Sequence, residues 1–134
     1  MSDSEEIIHV IEALFEAGVT KDTSALRDIH LDDSRFSSFG DLPPYDLKDY
    51  QTTILLEELK FASISDYTYE IQEPKISIFG DAAVVALKLV QKGMLVDNKA
   101  FTGKHVNIGG RATFVLVKSP TWKIAHIHIS KADN

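Results

Sequence analysis

From Ser65 onward the apolar residues of this chain change their period, and that change limits the fold more than any other feature. Before it, Ile7, Ile8, Ile11, Leu14 and Phe15 recur at the spacing of a helix with one buried stripe. After it, apolar and polar residues alternate, as they do where successive side chains point to opposite faces of a strand. The ranges 66–72, 75–79, 82–96, 103–118 and 122–130 read as strands. Gly80-Asp81 and Ser119-Pro120 mark tight turns, Asp97-Asn98-Lys99 a bend between the two longest strands, and Gly109-Gly110 a bulge that would curve the sheet. Helices followed by a long antiparallel meander predict one α+β domain over residues 1–134.

Three helices are expected ahead of the strands. Ser2 or Ser4 caps the first, and Gly18 stands where a C′ glycine would end it. Thr23 or Ser24 caps a short second helix through Leu26 and Ile29, and residues 35–39 read as a short extended segment. Pro43-Pro44 holds an extended loop. Asp46 starts the third helix, with Tyr50, Ile54, Leu55 and Leu59 on its buried side.

Composition narrows the function. A net charge of −6 argues against a nucleic-acid surface, which needs clustered Lys and Arg. There is no cysteine, hence no disulfide framework and no thiolate nucleophile. The acidic start lacks the basic stretch of a signal peptide, and no apolar run approaches a membrane span. A cytoplasmic protein without membrane contact is expected. The acids at 3–6 and Glu57-Glu58 read as solvated helix faces, and His9 and His30 as helix-surface residues.

The last strand, WKIAHIHIS, carries the most chemistry. Plain alternation puts Trp122, Ile124, His126, His128 and Ser130 on one face, and Lys123, Ala125, Ile127 and Ile129 on the other. If the first face packs on the helices, the isoleucine face is left apolar and exposed, and a homodimer through the outer side of the sheet would bury it.

The stretches IFGDAAVVALKLV and GRATFVLVKSPTWKIAHIHIS, in this order after the helices, resemble the SnoaL-like branch of the nuclear transport factor 2-like superfamily. They are also similar to the association domain of calcium/calmodulin-dependent protein kinase II. The resemblance implies a cystatin-like cone: three N-terminal helices packed on the concave face of a strongly curved antiparallel sheet, with a pocket between and dimers formed through the sheet. It does not imply one activity, because the scaffold hosts isomerases, dehydratases, cyclases and association modules. The general-base aspartate of the ketosteroid isomerase branch would fall near Ser38 and its oxyanion tyrosine near Ile11, neither of which can do that work. The pocket arginines of the kinase association domain would fall near Leu89 and Thr113, while Arg111 remains.

With Lys118 and Thr121 flanking the last turn, Thr113 is expected opposite His126 and Arg111 opposite His128. His105 and Asn107 follow through the assumed bulge, Gln91 joins from the neighbouring strand, and Tyr45 could close the mouth. Arg111, His126, His128, Thr113, Gln91, His105, Asn107 and Tyr45 are thus the candidate ligand-binding residues. The histidines have three readings. A metal site would need a third ligand such as His105, and Arg111 would repel the cation. Acid–base chemistry suits an imidazole near neutral pH. A structural role would have them bond Thr113, Ser130 or a backbone carbonyl. The expected function is binding of a small, mostly apolar molecule in the cone, with or without isomerase, dehydratase or cyclase-type chemistry and without metal or cofactor. The alternative is a non-catalytic self-association module.

Overall fold

The structure, a computed structural model, describes residues 1–40, 43–97 and 102–132. Helix α1, Asp3–Thr20, opens with the Ser2 hydroxyl accepting the Glu5 N–H and with Asp3, Glu5 and Glu6 beside the positive end of the helix dipole. Its buried stripe is Ile7, Ile11, Leu14, Phe15, Ala17 and Gly18. The helix does not stop at Gly18. It runs on to Thr20, and Lys21 supplies the left-handed cap with φ 64°. Gly18 is needed for a close approach instead: a Cβ there would lie 2.6 Å from Phe61 Cδ1 and 2.7 Å from Tyr67 Cδ1. The Lys21 ammonium donates to the Phe61 carbonyl at 2.6 Å and to that of Ile64, which ties the end of α1 to the end of the third helix.

Helix α2, Leu26–Ile29, and strand β1, Ser37–Phe39, follow. Helix α3 is Tyr50–Ser63, capped by the Asp49 carboxylate, which accepts the Thr52 N–H at 2.9 Å. It starts four residues later than the sequence suggests, and its buried residues are Thr53, Ile54 and Phe61. Leu55 and Leu59 are exposed instead, 52% and 63%.

Four long strands complete the fold: β2 (Ile64–Phe79), β3 (Ala82–Asp97), β4 (Thr102–Lys118) and β5 (Trp122–Lys131). The sheet order is β1-β5-β4-β3-β2, antiparallel throughout except that β1 runs parallel to β5. The segments 66–72 and 75–79 are one strand, interrupted by register shifts between Ser65 and Thr68 and between Gln72 and Lys75. Asp66 and Glu73, with φ 53° and 51°, sit at those shifts. Gly80, φ 65°, makes the two-residue turn into β3. Of the expected bend at Asp97-Asn98-Lys99, residues 98 and 99 lie outside the described residues. The expected bulge at Gly109-Gly110 does not occur, since β3 and β4 pair without interruption from Ala82↔Val117 to Asp97↔Thr102. Gly110 has another reason to be glycine: a Cβ would lie 2.8 Å from the Ser130 carbonyl oxygen.

The bulge that matters is in β5. Leu116 pairs with Ile124 but Val115 pairs with His126, so Ala125 is an extra residue on its strand. One extra residue exchanges the two faces from that point on. Trp122 and Ile124 point inward and are buried, and after Ala125 it is Ile127 that is buried, in register with Phe114. His128 is exposed on the outer side. The plain alternation expected from WKIAHIHIS is therefore reversed in its second half. The isoleucines lie under the chain's own helices, and the imidazoles lie on the outer sheet face.

The core joins the α1 stripe to Ala83, Val85, Leu87 and Leu89 of β3 and to Ala112, Phe114 and Leu116 of β4. Phe15 meets Phe114 edge to face, centroids 6.3 Å apart and planes at 89°. Trp122 closes this end of the core, its indole N–H donating to the Asp3 carboxylate at 3.0 Å.

Candidate functional site

The α1 end of the interior is filled by Phe15, Phe36, Phe114, Leu116 and Trp122, all buried. The open space lies at the other end, between α3, β1 and the inner side of β3, β4 and β5. It is a cavity of about 330 Å³. Its apolar wall includes Leu56, Leu59, Ile64, Leu95, Val106 and Ile108, together with the two isoleucines that the Ala125 bulge turns inward.

The polar wall comes mainly from α3. Thr53 and Glu57, one helical turn apart, share a face of α3, and both line the cavity. The Ser38 hydroxyl on β1 bonds that of Thr53 at 2.7 Å. Lys48, also buried, donates its ammonium to the carbonyls of Pro44 at 2.5 Å and Asp46 at 2.8 Å.

Behind Glu57 lies His30, buried, with its Nε2 3.2 Å from Glu57 Oε1 and its Nδ1 2.5 Å from the Leu26 carbonyl oxygen. A carbonyl oxygen only accepts, so Nδ1 carries a proton and donates it to Leu26. Nε2 must then either carry a second proton or accept one from Glu57. Burial pushes the imidazolium toward losing its proton, but the Glu57 carboxylate and the bond to Leu26 outweigh it, and the His30 pKa lies above its ordinary value. The direction of the shift favours the imidazolium–carboxylate form of the contact. The other oxygen, Glu57 Oε2, is buried and has no hydrogen-bond partner, and it is the sole such side-chain atom among the described residues.

Neither member was legible as a site residue. His30 is not on a helix surface, and Glu57, with only 15% of its side chain exposed, is not on a solvated face. A signal was present: Ile54, Glu57 and Phe61 recur at i, i+3 and i+7, which places the acid on the buried side of its helix.

None of the eight residues expected at the site lines this cavity. Arg111, Thr113, His126 and His128 do come together, but on the outer face, where Arg111 pairs with Ser130, Thr113 with His128 and Val115 with His126. His105 and Asn107 continue that face along β4, opposite Met94 and Lys92. Gln91 is inward and buried, its side-chain oxygen accepting the Tyr67 hydroxyl at 2.8 Å. Tyr45 is 65% exposed.

His126 Nδ1 lies 2.8 Å from the Ser37 hydroxyl, and the Phe39 ring leans on both histidines with centroids 6.3 and 5.5 Å away. Burial and then the neighbouring His128 charge hold His126 below the ordinary imidazole range. Among the described residues no group of three or more His, Asp or Glu is placed to hold a metal ion. No helix among them is long and apolar enough to cross a membrane.

Helices laid over the inner face of a five-stranded sheet define an α+β, cystatin-like fold of the nuclear transport factor 2-like class. Residues 7–134 match the SnoaL-like domain, and the chain belongs to that family. No curated protein matches it. Among solved structures it is similar to a nuclear transport factor 2-like superfamily protein from Salmonella enterica, with TM-score 0.79, 19% identity and coverage of 98% of this chain and 92% of that one. A protein with a cystatin-like fold from Caulobacter vibrioides gives 0.76, 18%, 97% and 89%. The CaMKII hub of S. rosetta gives 0.67, 18%, 96% and 95%. Likenesses at this level of identity speak to the fold alone.

Proposed function

We propose that this protein binds a small, mostly apolar molecule in the cavity between α3, β1 and the sheet. The observation that carries the reading is the lining: a space of about 330 Å³ walled largely by aliphatic side chains, with a few polar groups gathered on one helix face. Ligand sites are usually built this way. A saturable fluorescence rise with Nile red, at one dye per chain, is the expected result. Ile108→Trp, which pushes a large ring into the space, should abolish the rise while leaving the far-ultraviolet circular dichroism spectrum unchanged. Equal dye binding by wild type and variant would remove the cavity from consideration.

A second reading, self-association through the outer sheet face, is favoured by a different observation. Phe79 and Val84 are exposed there, 68% and 37%, next to Val115 and Val117. Such a patch suits burial against a second copy, with Arg111, Thr113, His126 and His128 at its margin. Sedimentation velocity should give a dimer for the wild type and a monomer for Val115→Arg. A wild-type monomer at 100 micromolar (a chosen working concentration, roughly where weak dimers still form) would count against it.

A further inference from the structure

The cavity reading leaves open what kind of molecule fits, and the His30–Glu57 pair narrows it. A buried oxygen that accepts nothing costs about 1–3 kcal/mol, and more when charged, so a native chain that keeps one calls for an explanation. Here the oxygen belongs to a residue that lines the cavity, and the residue is fixed from behind. His30 is buried against Phe36, ring centroids 5.5 Å apart, and is held through Nδ1 by the Leu26 carbonyl. Its Nε2 then engages Oε1 of Glu57 and leaves Oε2 without a protein donor.

We propose that Glu57 Oε2 is the polar anchor of the cavity, accepting a hydrogen bond from a hydroxyl on a neutral, otherwise apolar ligand, with His30 as the positioning residue behind it. The proposal rests on the cavity being a ligand site. The charge balance selects the ligand class. With His30 compensating the carboxylate, the pair offers no net charge to hold a cation, and the unpartnered carboxylate oxygen repels a ligand carboxylate. A hydroxyl donor meets neither penalty. Two lysines also line the cavity: Lys48 is committed to the Pro44 and Asp46 carbonyls, and Lys60 stands half-buried one turn beyond Glu57.

A matched trio of probes tests this by calorimetry at neutral pH: 2-naphthol, 2-methylnaphthalene and 2-naphthoate. The wild type should bind 2-naphthol about tenfold more tightly than 2-methylnaphthalene, as a hydrogen bond to a charged acceptor implies. Naphthoate should bind weakest. In Glu57→Leu the ratio of the 2-naphthol and 2-methylnaphthalene affinities should fall to about one. Nitrogen chemical shifts of His30 should report both ring nitrogens protonated in the wild type and only one in Glu57→Leu. Equal binding of 2-naphthol and 2-methylnaphthalene by the wild type would overturn the anchor while sparing the cavity. Tighter binding of naphthoate would overturn it in favour of the lysines. If none of the three binds, the cavity reading falls, and the anchor with it.

Discussion

Ile127→Asp should prevent the chain from folding, while His128→Asp should fold normally. The extra residue at Ala125 turns Ile127 inward, where it is buried in register with Phe114, and leaves His128 exposed on the outer face. The first substitution gives up a burial worth about 1.5–3 kcal/mol and strands a carboxylate without a partner, which costs several kcal/mol more. The sum is on the order of 5–10 kcal/mol, comparable with the whole stability of a domain this size. The second changes an exposed side chain and should cost about 0.5 kcal/mol or less. Deleting Ala125 should leave the faces as they are, because Ile124 would then be followed directly by His126 and the ladder from Leu116↔Ile124 to Val115↔His126 would become regular. Urea unfolding followed by circular dichroism distinguishes the variants, and near-native stability of Ile127→Asp would refute this account of the strand.

Ala125 explains why the histidine-bearing half of β5 faces the opposite way from the sequence expectation while the fold class agrees with it. The helix-to-strand change of period near Ser65, the turn at Gly80-Asp81 and the helical stripe from Ile7 to Phe15 are local patterns, and each leaves its mark in consecutive residues. A bulge leaves none when it falls on an alanine. The sequence advertises Gly109-Gly110 as the irregular point, yet β4 stays regular there and the shift lies across the ladder. His30 and Glu57 are 27 residues apart in the chain, and only the packing of α3 beside the end of α2 brings them together. The polar groups of the cavity therefore lie on its helical side, and the imidazoles of β5 lie on the outer face.

Removing one member of the His30–Glu57 pair should be far more damaging than removing both. His30→Leu strands a mostly buried carboxylate and is expected to cost about 3 kcal/mol. The double variant His30→Leu, Glu57→Leu replaces the ion pair with apolar side chains and should recover most of that loss, to within about 1 kcal/mol of the wild type. The pair also predicts the direction of the pH response. The His30 pKa is raised in the folded chain above its ordinary 6.5, so its contribution is fully present below that value and fades as pH rises through the higher folded value. Urea midpoints of the wild type should fall across that window relative to those of the double variant. Additive losses in the two single variants, with no pH-dependent difference from the double, would show that the two side chains do not act together.

The long border strand β2 carries a consequence for the behaviour of the protein at high concentration. Sixteen residues of unpaired backbone edge would ordinarily invite another molecule to extend the sheet and begin a fibre. Here the edge is broken twice, at Asp66 and Glu73, with Pro74 and Lys75 directly after the second break. The two breaks divide the border into short runs, and with the proline and the lysine they oppose extension of the sheet by an incoming chain.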